Sequence, residues 1–391
     1  MTLFGFCFQD PMYSSQCLRA MGAAPGGASD IGECLVTAAS ITDGDDESWY
    51  AAWKQIADRL SREASDSKTT GHPQSAITAF FRASNYYRTA EFFLHGNKED
   101  PRILATWKRS RECFLEATRL MTPPIIHVSI PFEGTTLPGY LCLVDASDTK
   151  RPLVIVQTGF DGTMEELYFN YGQAAIKRGF NCLLFEGPGQ GGVIREQKIP
   201  FRPNWETVIT PVIDFAVTQK QVDKDKIVLM GISMGGYLVP RALAFEKRIK
   251  LGIANGGIFD LAQGQGEITL GTEEETNLQI AEQMRSNSFL RWFFVHGMYT
   301  FNASNPVELL TMTRSYCLKD VVGNISCKML VVDSEGETMT AGQSHKLFEA
   351  LQCPKEFMLF LNKDGAGRHC QQGAKCLSNE RIFNWIEDNL K

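Results

Sequence analysis

KIVLMGISMGGYLVPRALAFE, residues 226–246, changes its pattern twice within 21 residues. Ile227 to Met230 form a short apolar run ending at Gly231, the pattern of a buried strand, and from Tyr237 the spacing turns helical. Between them Gly231-Ile232-Ser233-Met234-Gly235-Gly236 places a serine on a tight strand-to-helix turn. The small neighbours are what such a turn needs: the backbone is crowded, the serine hydroxyl projects, and the next amide is left able to donate. Glycine-x-serine-x-glycine arises by chance in roughly one chain in eight of this length. Its weight comes from the strand before it and the helix after it.

The same kind of strand recurs on both sides of this stretch. IIHVSIPF (125–132), LPGYLCLV (137–144), PLVIVQTG (152–159) and NCLLFEGPG (181–189) precede the serine turn; LGIANGG (251–257), CKMLVVDS (327–334) and EFMLFLN (356–362) follow it. Most are separated by enough chain for a crossover helix, which predicts a mostly parallel α/β sheet of residues 123–258 and 321–391. The gap from 259 to 320 is longer than one crossover and holds the aromatic run SFLRWFFVHGMYTF (288–301), so it is read as an inserted helical lid. Residues 1–122 read as a helical domain. Trp49, Tyr50, Trp53, Ile56, Ala57 and Leu60 recur at helical spacing, the acids Asp43, Asp45, Asp46 and Glu47 suit a helix start, and 66–75 reads as a loop before two more helices.

Composition bounds the function. The 391 residues are 43% apolar and 21% charged, with a formal charge of −6 and no cluster of basic residues, which excludes nucleic acid as a partner. No basic segment precedes an apolar core at the start, and no run of about 18 apolar residues occurs; a cytoplasmic protein without a membrane partner is expected. The eleven cysteines show no CxxC pair and no Cys/His spacing that suits zinc. Reduced thiols, no metal and no organic cofactor are the reading. GPGQGG (187–192) lacks the spacing of a dinucleotide fold or a P-loop and reads as a tight loop.

A serine hydroxyl needs a base to attack at neutral pH. Of six histidines, only His369 lies after the last strand, in the glycine-rich loop KDGAGRHCQQGA (363–374). The acid that orients it should follow CKMLVVDS, which offers Asp333, Glu335 and Glu337. Asp333 follows the strand directly, whereas Glu337 suits an acid placed in the turn beyond it; Glu337 is preferred, Asp333 stays open and Glu335 has least appeal. The loop after PLVIVQTG should supply a second oxyanion donor, making the amides of Phe160 and Met234 the pair. Asp161 either contacts substrate or bonds its own turn, and Glu165 and Glu166 read as a helix start.

GFDGTMEELYF (159–169), FEGPGQGG (185–192), GISMGGYLVPRALAFEKRI (231–249) and GAGRHCQQGA (365–374), with GGASDIGECL (26–35) and DGDDESWYAAW (43–53), resemble one branch of the α/β-hydrolase superfamily. That branch includes fermentation/respiration-switch-type esterases, 2,6-dihydropseudooxynicotine hydrolase and fungal polyketide hydrolases of pigment and fusarin-type pathways. The resemblance implies an α/β-hydrolase fold with a helical N-terminal domain and lid, and a triad of Ser233, Glu337 and His369. The family usually has aspartate at the acid position, which keeps Asp333 in play.

Members act on carbon-carbon bonds next to carbonyls, on esters, or in ring closures, on aromatic or polyketide substrates, and many self-associate. The resemblance therefore implies a serine hydrolase of secondary metabolism, an aromatic or polyketide small-molecule substrate, and a homodimer. Trp292, Phe293 and Tyr299, with Phe289 and Phe294, would give an apolar pocket or simply core, and Asp30 is a candidate proton donor for an enolate leaving group. Two rival readings stay open: the same triad closing a lactone, lactam or ring or carrying out a dehydration, and an inactive small-molecule binding protein.

Overall fold

The computed structural model describes residues 7–265 and 271–391. They fall into two compact units, one of Met1–Pro124 with Gly271–Tyr299, the other of Ile125–Leu270 with Thr300–Lys391. The segment read from sequence as a lid is thus divided. Residues 271–299 belong with the N-terminal helices, and 300–320 with the sheet.

In the first unit, α1 (Pro11–Met21), α2 (Ile31–Ala39), α3 (Asp46–Thr69), α4 (Pro73–Glu91) and α5 (Pro101–Arg119) form the N-terminal part. Asp45 caps α3 by accepting from the amides of Glu47 and Ser48, and Asp46 and Glu47 occupy its first turn. Along α3, Trp49, Trp53, Ala57, Leu60 and Ala64 are fully buried, a stripe at steps of four, four, three and four. Each large side chain in such a stripe contributes about 1.5–3 kcal/mol. Tyr50 and Ile56, on the flank of the stripe, are half-buried. The loop expected at 66–75 is shorter, because α3 continues to Thr69 before Pro73 opens α4.

The second unit is built on one eight-stranded sheet: β1 (Ile126–Phe132), β2 (Thr135–Cys142), β3 (Arg151–Gln157), β4 (Asn181–Phe185), β5 (Val222–Ile232), β6 (Leu251–Asn255), β7 (Lys328–Ser334) and β8 (Lys355–Phe360). Its order is β1-β2-β4-β3-β5-β6-β7-β8. Only β1 with β2 and β2 with β4 pair antiparallel; the rest are parallel. The inner strands read as continuous apolar runs because they are covered on both faces: β4 and β6 are buried throughout, whereas the edge strands β1 and β8 are partly exposed. Parallel pairing puts the carboxyl ends of β3, β5, β6 and β7 on one edge, the edge where loops of such sheets carry chemistry.

The turn after β5 explains its glycines. A Cβ on Gly231 would sit 2.0 Å from the Gly235 carbonyl oxygen, backbone that cannot swing aside, and 2.8 Å from Val239 Cγ2. Gly231→Ala should therefore cost about 3 kcal/mol or more. Gly323→Ala, at a site with no atom within 4 Å, should leave the urea midpoint where it is. Equal midpoints for the two variants would show that the turn can open to accept a methyl group. Among the described residues no helix is long and apolar enough to cross a membrane.

Candidate active site

Ser233 sits directly after β5 with φ of 60°, the left-handed conformation that a side chain adopts only under constraint. Its amide donates to the Asn255 carbonyl at 2.8 Å, its own carbonyl accepts from the Gly236 amide at 2.6 Å, and the helix Gly235–Leu243 follows. The turn is thus anchored on the neighbouring strand β6.

His369 lies in the loop between β8 and the helix Lys375–Asn389. Its Nε2 is 2.8 Å from Ser233 Oγ, and its Nδ1 is in short contact with the Glu337 carboxylate. The ring is 16% exposed and Glu337 only 4%. With the proton on Nδ1, where Glu337 accepts it, Nε2 is left as the acceptor facing the serine hydroxyl.

The loop that brings the imidazole there is pinned from behind. Cys370 and Gln371 both have positive φ. The Gln371 side chain exchanges two hydrogen bonds with the Asn255 amide, at 2.8 and 3.1 Å, and donates to Ser334 Oγ at 3.1 Å. The buried Lys375 ammonium donates to the Cys370 carbonyl at 2.6 Å. Asn255 therefore holds the serine turn with its backbone and the histidine loop with its side chain.

The three acids beyond β7 separate by partner. Asp333 accepts from the Ser334 amide at 2.9 Å, Glu335 from the Asn362 amide at 2.6 Å, and Glu337 faces His369. One Glu337 oxygen also accepts from the Met339 and Thr340 amides at 2.8 and 3.3 Å. Burial alone would raise Glu337, but His369 and these amides outweigh it and hold the carboxyl below its usual range. Burial disfavours a charged imidazole too, yet the neighbouring Cys370 and Glu337 lift His369 well above the usual histidine range. Asp333 is raised by burial and by the nearby Glu337 charge.

Phe160 and Met234 lie on adjoining backbone. A Cβ on Gly159 would meet the Met234 amide nitrogen at 2.7 Å and Ser233 Cβ at 2.9 Å, so glycine lets the loop after β3 lie against the turn. Around Phe160 are Phe201 and Phe301, with ring centroids at 6.4 and 6.3 Å; neither was singled out from the sequence. Asp161 is partly exposed on the same loop, and Glu165 and Glu166 occupy the first turn of the helix Met164–Leu167.

The remaining residues named from the sequence lie in the first unit. Asp30 caps α2, accepting from the Gly32 amide at 3.0 Å. Trp292 stacks on Phe92 and on His296. Phe293 lies edge-on to Phe294, and Tyr299 packs on His95. Of the other histidines, His72 precedes α4, His95 and His296 pair in the first unit, His127 is on β1, and His345 stacks on Phe357.

Residues 177–391 match the family model described as the prolyl oligopeptidase family. "Hydrolase LUC6" of Fusarium sp is 33% identical over 98% of this chain and 97% of its own. "20-hydroxy-prefusarin hydrolase FUS2" of Gibberella moniliformis is 30% identical over 98% and 97%. The solved structure of the 2,6-dihydroxy-pseudo-oxynicotine hydrolase shares the α/β-hydrolase fold, with TM-score 0.75 and 18% identity, over 94% of this chain and 95% of that one.

Proposed function

Because the chain belongs to the prolyl oligopeptidase family and is a serine hydrolase of the α/β-hydrolase fold, we propose that Ser233, His369 and Glu337 form its catalytic triad and that it acts on a polyketide-type carbonyl compound of fungal secondary metabolism. The observation that carries this is the placement of the His369 ring between Ser233 Oγ at 2.8 Å and the Glu337 carboxylate.

His369 Nε2 takes the serine proton as Oγ attacks the substrate carbonyl, and Glu337 stabilises the imidazolium that results. The Phe160 and Met234 amides hold the oxyanion. The tetrahedral intermediate collapses as His369 returns the proton to the leaving group, an alcohol or, for a carbon-carbon bond next to a carbonyl, an enolate carbon. Water, deprotonated by the same histidine, then hydrolyses the acyl-enzyme. The aromatic rings of Phe160, Phe201 and Phe301 favour an unsaturated or aromatic substrate. Asp161, on the Phe160 loop, is the polar group assigned to substrate. The names of the relatives support a hydrolase; the carbon-carbon or ester specificity rests on the chemistry above. The protein is expected to act in the cytoplasm and as a homodimer.

Intact mass spectrometry after a fluorophosphonate tests the nucleophile: wild type should gain one phosphonyl group and Ser233→Ala none. With aryl β-diketones and esters in ¹⁸O water, hydrolysis puts one heavy oxygen into the acid product and cyclisation none. An adduct retained by Ser233→Ala would remove Ser233 from the mechanism.

A further inference from the structure

Gln190, in the glycine-rich run 187–192, is 1% exposed and takes no part in the chemistry above. Its Nε2 donates to two carbonyls, Thr158 and Gly159, both at 2.9 Å. Its Oε1 accepts from the Gly187 amide at 3.0 Å and from Gln157 Nε2 at 2.6 Å. Both N–H bonds and both acceptor positions of the amide are used.

The orientation of this amide is set from further away. Gln157 Oε1 accepts from Trp205 Nε1 at 3.2 Å, and both residues are fully buried. An indole nitrogen only donates, so it fixes which end of Gln157 is oxygen. Gln157 then presents its NH₂ to Gln190, which turns its own NH₂ onto the loop after β3.

That loop carries Phe160. The Gly159–Phe160 peptide is trans, so its carbonyl and its N–H point in opposite directions. Holding the Gly159 carbonyl fixes the direction of the Phe160 N–H, facing away from Gln190. Restraint is needed here because glycine, required by its closeness to Met234 and Ser233, also leaves the peptide free to turn over. A turned peptide would present a carbonyl oxygen in place of a donor.

We propose that Gln190 is a positioning residue that holds the Phe160 amide in its oxyanion-binding direction, oriented through Gln157 by Trp205. This rests on the reading of Phe160 and Met234 as the oxyanion donors.

The test compares 4-nitrophenyl acetate with its thionoester, whose sulfur gains little from amide donors, in wild type, Gln190→Met and Trp205→Phe. Removing one oxyanion donor outright costs about 10²–10³ in kcat, so misdirecting one should cost Gln190→Met about 10- to 100-fold in kcat. KM should stay within about threefold. The preference for oxygen over sulfur should fall by the same factor as kcat, which a loss of folded protein would not produce. Trp205→Phe should move both readouts in the same direction by less, and it decides the matter if Gln190→Met does not fold. A folded Gln190→Met with the wild-type preference overturns this inference and leaves the triad standing. No preference in wild type overturns the oxyanion reading, and this inference with it.

Discussion

Ser233→Ala is expected to lower turnover by about 10⁴- to 10⁶-fold while leaving substrate affinity nearly unchanged, read by single-turnover kinetics and direct binding. The size follows from what the hydroxyl does. Its attack divides one difficult step into acylation and deacylation, and without it His369 can only activate water across a gap where no nucleophile is held. The residue left behind keeps the strained φ of 60° and its hydrogen bonds to Asn255 and Gly236, so the turn itself should survive. Activity within about tenfold of wild type would mean that covalent catalysis is not used. A wild type that binds the aryl β-diketones and esters but turns none of them over would favour the binding-protein reading.

Much of the fold was legible because it rests on local pattern. Strands buried on both faces, such as β4 and β6, have to be apolar throughout. The serine turn is equally local, since the glycines that relieve its crowding adjoin the serine in sequence. Within the helical region 1–122 the helix Pro11–Met21 was not singled out, because its run is polar in parts. Its signal was Asp10, which accepts from the Met12 and Tyr13 amides, followed by proline at the first position.

What could not be read depends on partners distant in sequence. Asp333, Glu335 and Glu337 are alike in spacing, and only a ring 32 positions beyond Glu337 separates them. Gln190 looked like part of a tight loop because its partners Gln157 and Trp205 lie on a strand and ahead of a helix. Division of the 259–320 segment between two units likewise follows from packing, which periodicity does not report.

Glu337→Gln should lower kcat by up to about 10⁴-fold, because an amide can leave the imidazole with its proton on the wrong nitrogen and no longer stabilises the imidazolium. Asp333→Asn, whose carboxylate accepts from the Ser334 amide and does not hold the His369 ring, should stay within about threefold. The pH profiles should separate the variants further. His369 must be neutral to accept the serine proton and is raised well above the usual range, so wild-type activity should climb through a midpoint on the alkaline side of about 6.5. Removing the Glu337 charge should move that midpoint to lower pH even as the plateau falls. Stability obeys the same pair. The raised His369 stabilises the fold fully below its unfolded pKa of about 6.5 and loses that contribution as pH rises through its folded value. The lowered Glu337 contributes above its unfolded value of about 4.3 and loses that as pH falls through its folded one. The gap in urea midpoint between wild type and Glu337→Gln should therefore be widest between about pH 4.3 and 6.5 and narrow on both sides. A gap that stays undiminished at alkaline pH would mean that Glu337 supports the fold through the Met339 and Thr340 amides and not through His369.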